Sequence, residues 1–122
     1  LTPERTISEL MQDFVKQTFS GQVEDTRKTD AMRELDEILG SMGEIEEHEA
    51  DYWSSDKTAE RILIFAEQLA EGDIGSLGTL REAFEQGFRS SETAFGGRHN
   101  MPGVSYDTYE IVQKGFEYVL NS

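Results

Sequence analysis

The densest group of ligating side chains in this sequence is Glu44, Glu46, Glu47, His48, Glu49 and Asp51. In a helix, Glu44 and His48 stand one turn apart, and so do Glu47 and Asp51. Either pair can turn toward one divalent cation. The pattern lacks the second histidine of a metalloprotease helix. It also lacks the alternating oxygens, central glycine and final glutamate of an EF-hand loop. Residues 44–51 contain a single Ile and a single Ala, so they form no apolar face. A solvated acidic extension or linker is therefore the simpler reading of the same residues.

Other candidates are weaker. His99 lies between Arg98 and Asn100 in the glycine-rich stretch 96–104, a setting that can place polar groups beside a ligand. No triad can be assembled around it, because Cys is absent and no Ser carries a nucleophile motif. Gly72, Gly75 and Gly78 recur every three residues, but they follow no strand and no Lys comes after them to meet a phosphate. They read as a helix stop and a turn. Tyr52 and Trp53 are residue types that anchor partners, and equally types that pin the start of a helix to a core. Tyr106 and Tyr109 carry the same ambiguity. Arg61 and Arg81, on segments dense in acids, read as ion-pair partners.

The elements that position these groups are all helical. Residues 2–20 place Ile7, Leu10, Met11, Phe14 and Thr18 on one stripe, with Thr2 as cap, Pro3 in the first turn and Gly21 as stop. Residues 22–30 are polar and aperiodic and read as a connection. A second helix capped by Asp30 carries Ala31, Leu35, Ile38, Leu39 and Met42. A third, capped among Ser54, Ser55 and Asp56, carries Ala59, Ile62, Leu63, Ala66, Leu69 and Ala70, and it is the central core helix. A fourth, from about Ser76 to Phe95, aligns Leu77, Leu80, Phe84, Phe88 and Phe95, with Gly87 placed to admit a close neighbour. The last is capped by Ser105 or Asp107 and presents Tyr109, Val112, Phe116, Val119 and Leu120.

Composition removes whole classes of function. The 122 residues suit one domain. Eleven basic against 25 acidic residues give a net charge of −14, which disfavours nucleic acid and anionic membrane surfaces. Without Cys there are no disulfides, thiolate zinc sites or iron–sulfur clusters. The longest apolar run, Ile62 to Ala66, is far short of the roughly 20 residues of a membrane span. The charge is uneven: residues 1–55 hold 5 basic and 14 acidic side chains, the rest 6 and 11.

The stretch Tyr52-Trp53-Ser54-Ser55-Asp56-Lys57-Thr58-Ala59-Glu60-Arg61-Ile62 resembles the Y-[FW]-S-x-x-x-T-A-x-R-I opening of a bacterial, all-helical C-terminal domain family of unknown function. Leu63 to Ala66, Phe84-Glu85-Gln86-Gly87-Phe88, and Ser105 to Tyr109 leading to Gly115-Phe116 resemble its later segments. The resemblance covers about residues 52–118. Some members carry the label hydrogenase-4 component G, but no ligand set for nickel or iron stands in this chain. The family has no established function and lends no catalytic residues.

These readings predict an all-α bundle of five helices in a single domain, 1–122. An N-terminal helical pair and acidic connection occupy 1–51. The core occupies 52–122, its three helices (about 55–120) antiparallel and the first two packed on it or projecting. The expected function is a non-catalytic interaction or scaffold domain of a larger bacterial protein. Its contacts would be Tyr52, Trp53, Glu46 and Glu49, and its partner a basic protein. The alternative is a divalent-metal domain using Glu44, Glu47, His48 and Asp51. No cofactor, nucleic acid or membrane is expected. A homo-oligomer through the first two helices is open, the cytoplasm is slightly favoured, and Leu1 suggests a piece whose targeting segment was removed.

Overall fold

The computed structural model describes residues 3–39 and 52–121, and these form four α-helices: α1 (Pro3–Leu39), α2 (Ser55–Ala70), α3 (Ile74–Ala94) and α4 (Gly103–Leu120). The all-α class is as expected; the count of five is not. The two helices expected before residue 43 are one. Gly21 does not stop α1, and residues 22–30 continue it. A helix-interior glycine costs about 1 kcal/mol relative to Ala. At Gly21 a close contact offsets that cost, because a Cβ there would lie 2.4 Å from the Trp53 ring. Residues 22–30 contain no proline, and Gln, Glu, Arg and Lys all tolerate helix. Thr26 donates its hydroxyl to the Gln22 carbonyl one turn back, at 3.0 Å.

The shorter helices begin and end where their caps dictate. Ser54 caps α2, its hydroxyl accepting the Lys57 amide, and Glu71 closes it in the left-handed conformation. Asp73 then caps α3 through the Gly75 amide and the Ser76 hydroxyl, so α3 starts two residues earlier than its apolar pattern suggests. The α4 helix begins behind Pro102, not at a cap of Ser105 or Asp107. Ser105 turns inward instead.

Contact order along the helices gives the topology. Val15 meets Gly87 and Arg27 meets Phe95, so α1 and α3 run parallel. Gly115 meets Leu63, and Gln22 joins Thr58 to Thr108, so α2 and α4 run parallel. Phe14 stacks on Phe65 while Gln22 reaches Thr58, which sets α1 against α2; Phe84 meets Phe116 while Glu92 meets Tyr106, which sets α3 against α4. Two parallel pairs therefore pack in opposite directions. The core between them holds Met11, Val15, Phe19 and Val23 of α1, Ile62 of α2, Leu80, Phe84 and Phe88 of α3, and Val112 and Phe116 of α4. Phe19 stands edge-on to Phe88 with ring centroids 5.0 Å apart.

The 37 residues of α1 extend about 55 Å at 1.5 Å per residue, well past the other helices. Its packing ends where the Arg27 guanidinium covers the Phe95 ring. Beyond that point every described side chain from Asp30 to Ile38 is exposed.

Candidate functional site

Three polar groupings organise the end of the bundle from which α1 projects. The first centres on Gln22, which has no exposed surface. Its Nε2 donates to the Trp53 carbonyl at 2.9 Å, and Thr108 Oγ1 and Thr58 Oγ1 stand at 3.0 and 3.3 Å. Its Oε1 accepts the Ser105 hydroxyl at 2.9 Å. Thr108 passes its own hydroxyl hydrogen to the Val104 carbonyl. A single amide thus ties α1 to α2, to α4 and to the turn before α2, in a setting where an unpaired polar group is costly. Gln22 falls in a segment read from sequence as a connection. Its position was still legible, because it follows Phe19 by three and Thr18 by four, in register with the stripe of α1.

The second grouping is the aromatic turn ahead of α2. Trp53 lays its ring on the bare backbone of Gly21, so the indole packs on α1. Tyr52 stands edge-on to it and stays 53% exposed. Arg61 covers both, its guanidinium carbon 3.8 Å from the Tyr52 ring centroid and 5.1 Å from that of Trp53. Its Nη1 donates to the Tyr52 carbonyl at 2.7 Å. Nη2 is buried without a hydrogen-bond partner. The expected ion-pair role of Arg61 is corrected to a stacked, backbone-capping one. The reason is geometric: a guanidinium nearly two turns into α2 reaches back over the rings that precede the helix. Arg81 likewise donates to Gln113 Oε1 at 2.7 Å.

The third grouping closes the turn between α3 and α4. Glu92 is 5% exposed and accepts the Tyr106 hydroxyl at 2.7 Å, with Arg89 Nη1 at 3.4 Å. The Tyr106 bond and the His99 amide hold its carboxyl below the ordinary value of 4.5, against burial, which acts the other way. Burial, and then the bond to Glu92, pushes Tyr106 above 10.0. His99 itself is exposed, in a left-handed conformation at φ 66, with its ring beside that of Tyr106. Asn100 donates its side-chain amide to the Gly96 carbonyl at 2.7 Å. These polar groups clamp the turn. Glu92 follows Phe88 by four residues, so it was recognisable as an acid on the buried face of α3.

A carboxyl whose pKa is depressed in the folded state contributes stability above its unfolded value and loses it as pH falls through the folded one. Stability is therefore expected to decline below about pH 4.5, the ordinary value of Glu92. Tyr106→Phe should raise the Glu92 pKa and move acid unfolding to higher pH. Carbon-detected NMR titration of Glu92, run beside acid unfolding followed by circular dichroism, measures both. A Glu92 titration unchanged in the variant would discard the clamp.

Of the contacts expected from sequence, Tyr52 and Trp53 come together on the surface between α1 and α2. Glu46 and Glu49, and the alternative metal set Glu44, Glu47, His48 and Asp51, lie outside the described residues. Among the described residues, no three His or acidic side chains group as a metal site. No helix among them is long and apolar enough to cross a membrane. Comparison with known proteins adds no relative: no family model, curated protein or solved structure matches this chain.

Proposed function

We propose that this chain is a non-catalytic protein-interaction or scaffold domain whose contact surface is the free C-terminal end of α1, from Asp30 onward, extended by Tyr52. The observation that carries this reading is the exposure of Met32, Leu35 and Ile38 at 54%, 46% and 79% on a helix that has left its bundle. Large apolar side chains spaced three apart along a projecting helix are a seam for another helix. The non-catalytic part of the reading rests on the groups that could do chemistry. Gln22 is hydrogen-bonded to Thr108, and Glu92 to Tyr106, so each ties its helix to α4 in a structural role.

The partner is basic. Asp30, Glu34 and Glu37 flank the seam with Arg33 as the local base, and Glu44, Glu46, Glu47, Glu49 and Asp51 follow in sequence. Charge of one sign around an apolar stripe selects a partner of the other sign and speeds the encounter. Within the surface first read from sequence, Tyr52 keeps an accessible ring, whereas Trp53 is engaged by Gly21.

The test compares wild type with Leu35→Ser/Ile38→Ser, a change confined to exposed positions and expected to leave stability within about 0.5 kcal/mol. Wild type should retain a basic protein from lysate in a salt-sensitive manner, and the folded variant should lose it. Identical partner sets would overturn the proposal. So would sedimentation showing that this face is buried in a dimer of the chain itself.

A further inference from the structure

At the opposite end of the bundle, α2, α3 and α4 leave an open groove of about 500 Å³. The register of the helices places it there: the C-terminal halves of α2 and α4 and the start of α3 line it, whereas α1 projects from the other end. Ala66 and Ala70, one turn apart and buried, give it a low floor. Ile74, Tyr118 and Val119 rise around it and are 61%, 79% and 42% exposed. Scattered single apolar residues on a surface need no explanation, but a contiguous concave group of them does.

Shape and charge select the occupant. The lining of α2 runs from Leu63 to Ala70, two turns of helix. A helix laid along it can insert about three large apolar side chains at i, i+3 or i+4, and i+7, while the alanine floor lets its backbone come close. Glu67 is exposed on the groove, Glu71 and Asp73 bracket the lining residue Gly72, and Glu117 lies between Phe116 and Tyr118. Lys114 is the one base adjacent in sequence to the α4 lining. A second copy of this chain is a poor occupant, because its free apolar seam is itself flanked by Asp30, Glu34 and Glu37. We propose that this groove docks a basic amphipathic helix of a partner protein, as a second site separate from the free C-terminal end of α1.

The probe is an 18-residue leucine/lysine amphipathic peptide, set against its leucine/glutamate counterpart, with NMR shifts of the whole chain as the readout. The lysine peptide should move Ala66, Ala70, Ile74 and Val119 and bind at least tenfold more tightly than the glutamate peptide. Glu67→Lys/Ile74→Ser, which alters only the rim, should weaken it at least tenfold. Glu24→Lys, the same charge change on exposed α1 surface, should weaken it far less. Leu35→Ser/Ile38→Ser should leave it unchanged, so failure here is separable from failure of the proposed α1 surface. Equal binding of the two peptides overturns the docking site. So do shifts confined to Met32, Leu35 and Ile38, and groove shifts that appear on concentrating the protein alone.

Discussion

Gln22→Leu is expected to destabilise the protein by about 3–5 kcal/mol, a large share of the roughly 5–15 kcal/mol that holds a domain of this size. Leucine fits the volume but bonds nothing. The Trp53 carbonyl loses its donor, the Ser105 hydroxyl loses its acceptor, and Thr58 and Thr108 lose an amide hydrogen, all at buried or partly buried positions. An orphaned buried polar group costs about 1–3 kcal/mol, more than the net gain of the bond it once made. Removing the partners as well should therefore recover part of the loss. Adding Thr58→Val, Ser105→Ala and Thr108→Val to Gln22→Leu is expected to restore at least half of it, as equilibrium urea unfolding would show. A Gln22→Leu variant as stable as wild type would mean the amide does not hold the helices in place.

The second large effect is expected at Gly87. A Cβ there would lie 2.9 Å from Val15 Cβ and Cγ1 and 3.2 Å from the Gln12 carbonyl oxygen, where α3 packs closely on α1. A carbonyl oxygen fixed in a helix cannot move aside as a side-chain tip can. Gly87→Ala gains about 1 kcal/mol of helix propensity but meets overpacking of about 1–3 kcal/mol. Gly87→Leu should cost about 3 kcal/mol or more and separate the two helices. Gly78 is the internal control. It lies in the same helix with nothing within 4 Å of its Cβ position, so Gly78→Ala should stabilise by up to about 1 kcal/mol. Thermal unfolding of the three variants checks the order. If Gly87→Ala stabilised as much as Gly78→Ala, the close approach would carry no strain.

These two positions show how legible the molecule was. Gly87 stood beside the apolar stripe of its helix and was recognisable as a contact point before any neighbour was known. Gly21 has the same residue type but reads as a stop, because a glycine followed by nine residues of which only Val23 is apolar matches a helix end. What keeps α1 continuous there is Trp53, 32 positions later in the chain, filling the space that the missing side chain leaves. The same boundary hid Gln22. Polarity placed it outside a helix, although its spacing from Phe19 kept it on the buried face. For Arg61 the acidic surroundings suggested an ion pair, whereas its distance from two rings at the start of its own helix decided the outcome.

Local sequence was enough for the all-helical class, a cap among Ser54, Ser55 and Asp56, the apolar faces of the last three helices and the exclusion of thiolate chemistry. Each of these is a local or compositional property, set by spacing, capping oxygens or residue counts. Long-range packing decided that residues 3–39 are one helix, that α1 and α3 run parallel with α2 and α4 opposed, and that the C-terminal end of α1 stands free. Those outcomes depend on contacts between residues far apart in the chain, Gly21 with Trp53, Gln22 with Ser105 and Val15 with Gly87. Local propensity carries no information about such partners, and their packing outweighs the single kilocalorie by which a glycine would otherwise end a helix.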